Sequence, residues 1–255
     1  MRGVRSVCAV LLTCAACGRI GFDASGDGGA LDIAMTDARD MPSDLVVWLP
    51  FDDDLADGGA DVFGLGYATG AQAMCDQECP TTTAGIHGTA ALFGDGLFYR
   101  LPDTTNLRLD TGTIAVWIQP VEAPVVPANF QIVGKPYGPT TNDSYELFLE
   151  SGIRTFIGGD SDTGGPYTGG TYTPALNTWA HLAATWDTTT ARVYVNGIEI
   201  ANDFAFTKLY DTHDVLIGAD ADGGPAFNFV HGAIDDLRIY NRALSAAEIT
   251  ALATP

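Results

Sequence analysis

Short apolar runs recur along most of the chain, and each ends at glycine, proline, asparagine or aspartate. Runs of four to eight such residues bounded by turn residues are typical of β-strands. The pattern predicts strands at Leu45–Phe51, Ala90–Phe93, Thr113–Ile118, Gln131–Lys135, Tyr145–Leu149, Trp179–Trp186, Ala191–Val195, Ile198–Ala201, Val215–Ile217 and Ala233–Tyr240. Many short strands favour an all-β sandwich or barrel.

The strongest local signal is a hairpin at Asn196-Gly197, which separates Arg192–Val195 from Ile198–Ile200. Asn-Gly supplies the two positive φ angles of a type I′ turn. The run Trp179–Trp186 leads into this hairpin, so the sequence predicts three consecutive antiparallel strands.

Some strands are apolar on both faces, as in Ile114–Ile118. In a sheet with one solvent-exposed face, apolar and polar residues would alternate along each strand. These strands are therefore expected to be covered by a second sheet and by loops. Near the end of the chain, Ser245 and Glu248 form a capping-box pattern that predicts the start of a short helix.

The first residues read as a secretory leader. Arg2 and Arg5 precede the apolar run Val7–Leu12, and the small residues Ala15-Ala16 precede Cys17. A signal peptide has a positively charged start, a short apolar stretch and small residues before the cleavage site. The apolar stretch here is far shorter than the ~20 residues that span a bilayer.

The leader also resembles a bacterial lipobox, with Cys17 as the lipidated residue, and the sequence that follows resembles the start of many myxobacterial surface lipoproteins. Two alternatives stay open: lipidation of Cys14, or a cleaved signal without lipid. We therefore divide the chain into a lipoprotein signal (1–17), a flexible tether rich in Gly, Asp and Ala (18–43) and a folded body (44–255). This order predicts a lipid anchor in the outer membrane, with the body exposed to the periplasm or the cell surface.

Acidic residues number 32 against 12 basic ones, which gives a formal net charge of −20. Such a surface repels phosphate backbones, so nucleic acid is excluded as a partner. The body contains two cysteines, Cys75 and Cys79. Export permits a disulfide, and we expect one here that closes a short loop. We expect a monomer that meets the membrane only through its lipid.

An ordered set of motifs in the body resembles the laminin-G-like domains of the concanavalin A-like lectin/glucanase superfamily. The motifs are Trp48–Asp52, Thr113–Ile118, Trp179–Ala183, Val193–Gly197 and Gly232–Ser245. The resemblance implies a jelly roll of two antiparallel sheets, ending in a short helix and often carrying a structural calcium ion. Members of this family bind glycans or proteins, so the fold alone does not give the function.

Three aspartates are candidate Ca²⁺ ligands: Asp52 after the first strand, Asp57 in the next turn and Asp235 at the start of the last strand. In the family the first and last strands are neighbours, which would bring these carboxylates together, and Ca²⁺ prefers oxygen ligands. The alternative is that Asp52 and Asp57 only form turns and that Asp235 only binds backbone at a strand end.

A ligand site is expected in loops. Tyr137 and Tyr167 are aromatic residues suited to stacking on sugar rings, and Asp160 and Asp162 lie in a long polar loop and suit hydrogen bonds from sugar hydroxyls. The alternative is an ordinary polar loop without a ligand.

No catalytic motif is present. The segment Tyr145–Glu150 lacks the Glu-x-Asp-x-x-Glu spacing of glycosidases with this fold, and a regular strand would direct Asp235 and Asp236 to opposite faces. We therefore expect no catalytic residues. The sequence favours a cell-surface module that binds a glycan or an extracellular protein; the alternatives are a structural or assembly lipoprotein and, third, a glycoside hydrolase or polysaccharide lyase.

Overall fold

The computed structural model describes residues 42–52, 55, 59–67, 70–75, 78–125, 128–138, 142–150, 152–157, 168–204, 208–221 and 224–255. These residues form sixteen strands and one α-helix. In chain order they are β1 (Leu45–Leu49), β2 (Gly59–Asp61), β3 (Gln72–Met74), β4 (Thr81–Ala84), β5 (Thr89–Phe93), β6 (Tyr99–Leu101), β7 (Gly112–Pro120), β8 (Phe130–Tyr137), β9 (Asn142–Leu149), β10 (Ile153–Ile157), β11 (Thr168–Gly170), β12 (Ala180–Trp186), β13 (Thr190–Val195), β14 (Ile198–Phe204), β15 (Val215–Ile217), β16 (Gly232–Tyr240) and α1 (Ala246–Leu252).

The strands form two antiparallel sheets of eight strands each. The first sheet has the order β14-β13-β12-β7-β16-β5-β4, and β1 also pairs with β16. The second has the order β11-β10-β9-β8-β15-β6-β3-β2. The predicted all-β sandwich with a short C-terminal helix is therefore confirmed.

One edge of β16 is shared by two partners. β5 pairs with its first half, at Gly232–Ile234, and β1 pairs with its second half, with Leu49 opposite Leu237. The expectation that the first and last strands are neighbours is thus confirmed. The partner changes at Asp235 and Asp236, where a bulge interrupts the ladder with β7.

The predicted hairpin joins β13 and β14 at Asn196 and Gly197, whose φ angles are 48° and 79°. These positive values fit the type I′ turn that Asn-Gly favours. The Asn196 side chain also accepts a hydrogen bond of 2.9 Å from the backbone N–H of His181 on β12. The turn is therefore tied to the strand that leads into the hairpin.

The main core lies between the two sheets and is built from aliphatic and aromatic side chains such as Ile114, Val116, Leu147, Leu182 and Trp186. A smaller cluster lies on the outer face of the first sheet, where Tyr194, Tyr240 and Leu244 surround Ile249 of α1. This second cluster explains why β7 is apolar on both faces. The helix begins with the predicted capping box of Ser245 and Glu248.

Six strands were not predicted from the sequence: β2, β3, β4, β6, β10 and β11. Five of them have only three or four residues, so the pattern that marks a buried strand is weak in them. β10 has five residues, but the polar pair Arg154-Thr155 interrupts its apolar positions. The predicted disulfide between Cys75 and Cys79 is present, with Cα atoms 5.3 Å apart. Among the residues described, no helix is long and apolar enough to cross a membrane.

Candidate functional site

Besides the disulfide cysteines Cys75 and Cys79, the structure describes three of the predicted site residues: Asp52, Asp235 and Tyr137. The others lie outside the described residues: Cys14, Cys17, Asp57, Asp160, Asp162 and Tyr167. The predictions that rest on this second group stay predictions.

The side chain of Asp235 is buried at the point where β16 changes partner. Its Oδ2 accepts hydrogen bonds of 2.8 and 3.1 Å from the backbone N–H groups of Ile86 and His87, in the turn between β4 and β5. Its Oδ1 is buried and has no hydrogen-bond partner among the described residues. Burial raises the pKa of Asp235 to about 7, and the nearby carboxylates of Asp236 and Asp52 act in the same direction.

Asp52 reaches the same turn from the other side. Its Oδ1 accepts a hydrogen bond of 2.9 Å from the backbone N–H of Thr89. Glycines in the turn leave room for both carboxylates. A Cβ atom on Gly88 would lie 2.1 Å from Asp52 Oδ1, and a Cβ atom on Gly85 would lie 2.6 Å from Asp235 Oδ2. The structure therefore brings Asp52 and Asp235, 183 positions apart in the sequence, to one turn.

The sequence-based placement of Asp235 and Asp236 on opposite faces is wrong. Asp236 has a φ angle of 51° and lies in the bulge, so the regular alternation of a strand is lost there. Both carboxylates approach His87, with Asp236 Oδ2 3.8 Å from His87 Nε2. Asp236 also accepts a hydrogen bond of 2.7 Å from Trp48 Nε1 and pairs with Arg238, so it serves to join β1 to β16.

The environment of Asp235 disfavours its charged form, and its Oδ1 atom has no hydrogen-bond partner among the described residues. A hard cation at this turn would have Asp235 and Asp52 as its candidate ligands. Within the described ranges, no three carboxylate, imidazole or thiolate groups converge as a metal site. Further ligands would have to come from backbone oxygens or from the segment that contains Asp57.

A row of side chains continues from Asp235 across the outer face of the first sheet. Trp117 of β7 lies opposite Asp235 and also opposite His181 of β12. The Trp117 and His181 rings meet edge to face, with centroids 5.2 Å apart. Burial lowers the pKa of His181 to about 3, and the charge of Arg238 adds to this effect. His181 is therefore a neutral, structural imidazole at physiological pH.

A shallow, open groove lies at one rim of the sandwich, where β7 and β9 end and β10 begins. Its walls are mostly apolar and include Pro120, Pro124, Leu149, Tyr172, Pro174 and Leu176. Two carboxylate residues, Glu122 and Glu150, also line it. An apolar surface with a few placed polar groups is typical of small-ligand sites.

Tyr172 is fixed in the groove by its neighbours. Its backbone carbonyl accepts a hydrogen bond of 3.0 Å from the N–H of Ile153, the first residue of β10. Burial raises the pKa of its hydroxyl, and a hydrogen bond to the Asn196 side chain acts in the opposite direction. The Asn-Gly turn predicted from the sequence thus helps to hold an aromatic ring at the rim.

Glu122 is positioned by His231. The Nδ1 atom of His231 contacts Glu122 Oε1, and its Nε2 atom lies 2.9 Å from Asp95 Oδ1. The imidazole stacks on Phe130 with ring centroids 5.4 Å apart, which fixes its plane. A surface carboxylate is therefore held at the groove wall.

Tyr137 lies at the far end of β8 from this groove. Phe130, at the start of β8, pairs with Leu149 of the groove wall, and Tyr137 follows seven residues later. At 3.3 Å per residue the two ends of the strand are roughly 23 Å apart. The groove and the rim at Tyr137 are thus separate candidate ligand sites.

Sequence reasoning missed the groove residues. Tyr172 and Leu176 follow the long polar loop that contains Asp160 and Asp162, but Glu122 and Glu150 come from two other segments. Their one sequence signal is a cluster of prolines at 120, 124 and 127, which marks an irregular connection between two strands.

The fold and sequence define the class of protein. Residues 93–250, more than half of the chain, match the model of the laminin-G family described as the concanavalin A-like lectin/glucanases superfamily. The chain belongs to this family. A search of curated proteins found no significant match.

Three solved structures illustrate the similarity in fold. Domain 4 of AbnA, a GH43 extracellular arabinanase from Geobacillus stearothermophilus in complex with arabinotriose, is 21% identical with a TM-score of 0.56, and 83% of this chain covers 98% of that one. The Ruminococcus gnavus IT-sialidase CBM40 bound to α2,3-sialyllactose is 17% identical with a TM-score of 0.54. The match covers 68% of this chain and 98% of the CBM40 chain. Trypanosoma rangeli sialidase in complex with sialic acid is 16% identical with a TM-score of 0.60, and the match covers 84% of this chain but 33% of the sialidase.

Proposed function

We propose that this protein is a non-catalytic carbohydrate-binding module displayed on the cell envelope. The observation that carries the proposal is the groove at the rim, which is lined by the aromatic residue Tyr172 and by the carboxylate residues Glu122 and Glu150. A sugar has an apolar C–H face that packs on aromatic and proline rings, and its hydroxyls donate hydrogen bonds to carboxylates. The sugar-bound states of two structural neighbours support this interpretation.

A binding role fits the groove better than glycoside hydrolysis. A glycosidase needs one carboxyl group as a proton donor and a second as nucleophile or base. Glu122 is instead engaged by the imidazole of His231 at the groove wall. No change in the length of a bound oligosaccharide is expected after prolonged incubation, and the appearance of shorter products would contradict the proposal.

A glycan array probed with the full-length protein tests carbohydrate binding. We expect Tyr172→Ala to weaken binding of any glycan that scores by at least about tenfold, which corresponds to 1.4 kcal/mol, because the stacking surface is lost. Tyr137→Ala is the matched control, since it removes the same ring at the other end of β8.

The two variants also separate the two candidate sites. If Tyr137→Ala abolishes binding and Tyr172→Ala does not, the result favours the ligand residues proposed from the sequence, which are Tyr137, Asp160, Asp162 and Tyr167. If the array shows no bound glycan, the structural or assembly role replaces carbohydrate binding.

We further propose that a structural Ca²⁺ ion binds Asp235 and Asp52, with Asp57 as a further ligand. The buried Oδ1 atom of Asp235, which has no partner among the described residues, supports this proposal. The ion would neutralise a costly buried carboxylate and would link the first strand to the last.

The same proposal places the protein on the outer membrane as a monomer anchored by a lipid on Cys17. The support is the short charged leader that ends at this cysteine. Cys17→Ser should shift the protein from the membrane fraction to the soluble fraction, as measured by cell fractionation. Retention in the membrane fraction would assign the anchor elsewhere, and the variant Cys14→Ser would then test the rival site.

A further inference from the structure

His231 lies between two carboxylates at the rim of the sandwich. It comes directly before β16, which lies between β5 and β7 in the first sheet. Asp95 follows β5 and Glu122 follows β7, so each neighbouring strand leads to one of the two carboxylates. The Nε2 atom of His231 lies 2.9 Å from Asp95 Oδ1, and its Nδ1 atom contacts Glu122 Oε1. Both ring nitrogens are therefore directed at carboxylate oxygens.

The other contacts of His231 fix the ring and add no charge. The imidazole stacks on Phe130 of β8, and the His231 carbonyl accepts a hydrogen bond of 3.0 Å from the N–H of Val121. Among the described residues, the charged groups in contact with the ring are Asp95 and Glu122. Protonation of the two ring nitrogens therefore decides which of these contacts are hydrogen bonds.

Two carboxylates around one imidazole require two protons on the ring. An ionised carboxylate only accepts hydrogen bonds, whereas a neutral imidazole has one N–H group and one bare nitrogen. Both contacts are therefore hydrogen bonds only in the imidazolium form. In the neutral form the remaining proton sits on either nitrogen, and the carboxylate that faces the bare nitrogen loses its bond. Histidine is the side chain that changes charge between pH 5 and 8, so a mild change in pH is enough.

His213 shows the contrasting arrangement on the same protein. Its Nδ1 atom lies 2.7 Å from Asp211 Oδ1, and no second carboxylate contacts its ring among the described residues. One N–H group satisfies a single carboxylate, so a neutral ring keeps this contact. The need for a second proton is therefore particular to His231.

We propose that His231, Asp95 and Glu122 form a proton-operated latch at the rim of the groove. At acid pH the imidazolium joins the turn after β5 to the segment after β7, which carries Glu122 on the groove wall. Above the range in which histidine loses its proton, one of the two links opens and the rim loosens. The latch goes beyond the proposed carbohydrate binding, since it joins two segments of the chain with or without a ligand.

Amide hydrogen exchange of the full-length protein, followed by NMR at pH 5 and pH 8, tests the latch. One reporter is the N–H of Leu97, which bonds to the Gly94 carbonyl in the turn that contains Asp95. The other is the N–H of Val121, which is next to Glu122 and bonds to His231. After correction for the pH dependence of exchange in free amides, we expect the protection of both to fall by roughly threefold at pH 8, the size of effect that exposed ion pairs produce.

Asp95→Asn separates the latch from other effects of pH. Its amide can donate a hydrogen bond to an unprotonated Nε2, so both contacts survive without the second proton and the fall in protection should disappear. His231→Gln should also remove the fall, because glutamine does not titrate. His213→Gln is the matched control, since it removes a surface histidine with a single carboxylate partner and should leave the fall unchanged.

Equal protection at pH 5 and pH 8 in the unmodified protein overturns the proposal. A fall of the same size in His231→Gln or in Asp95→Asn, or its loss in His213→Gln, also overturns it, because other titrating groups would then control the rim. If His231→Gln does not fold, Asp95→Asn still decides the point, since the Asp95 side chain is 88% exposed. Absence of binding to every glycan would remove the proposed function and leave the latch intact.

Discussion

Two regions of the molecule place carboxylates beside aromatic rings, but in opposite surroundings. On the outer face of the first sheet, the row of Asp235, Trp117 and His181 is buried. At the groove, Glu122 faces solvent and Tyr172 is half-buried. The same residue types therefore serve two purposes, and burial determines which one.

Burial makes ionisation expensive. The pKa of Asp235 is raised to about 7 and that of His181 is lowered to about 3, in both cases mainly because the charged form loses its hydration. Protonation or metal binding in this row is therefore coupled to folding. At the groove the charges remain hydrated, so they affect which ligand binds more than whether the chain folds.

The largest expected effect is the change in stability on removal of calcium from the proposed site at Asp235. A cation that binds only the folded state stabilises it by about 2.7 kcal/mol at a hundredfold excess over Kd. A chelator should therefore lower the melting temperature of the protein, and added calcium should restore it. Asp235→Asn should abolish this response, because the amide keeps the contacts to the turn but lacks the charge that a cation needs.

The control for this experiment comes from the groove. Glu122→Gln removes a solvent-facing carboxylate and should change stability by less than about 1 kcal/mol, with the calcium response intact. If the melting curve is the same with and without chelator and the purified protein contains no metal, Asp52 and Asp235 are turn and strand-end residues only.

A smaller effect is expected from His181. Its pKa is about 3 in the folded chain and about 6.5 in the unfolded chain, so the unfolded state binds more protons between these values. The stability that the neutral imidazole contributes is fully present above pH 6.5 and is lost as the pH falls. At pH 5 the loss is on the order of 2 kcal/mol. Chemical denaturation of the protein and of His181→Gln at pH 8 and pH 5 measures it.

The contribution of His181 is the difference between the two proteins in the stability lost from pH 8 to pH 5, because other groups titrate as well. Asp235 has the opposite effect on stability, since its raised pKa favours the folded state at low pH. The effect of Asp235 is the same in the protein and in His181→Gln when calcium is absent. It therefore cancels in the difference between them. An equal loss of stability in both proteins would show that His181 is not buried as described.

Much of the fold follows from the sequence because it is encoded locally. Asn196-Gly197 specifies its turn by the positive φ angles that these residues tolerate, and Ser245 with Glu248 specifies the start of α1 by a reciprocal pair of hydrogen bonds. The apolar runs specified ten strands, since a buried strand needs a run of apolar side chains. Short strands such as β4, with the sequence Thr-Thr-Thr-Ala, carry no such signal.

The tertiary structure decided where the chemistry lies. The shared edge of β16 places Asp235 at a change of partner, and the bulge at Asp236 reverses the side-chain alternation that the sequence predicts. The groove joins segments around residues 122, 150 and 172, which have no common motif. Local patterns fix a residue's own backbone and burial, whereas a site depends on contacts between distant segments, and those form only when the two sheets pack.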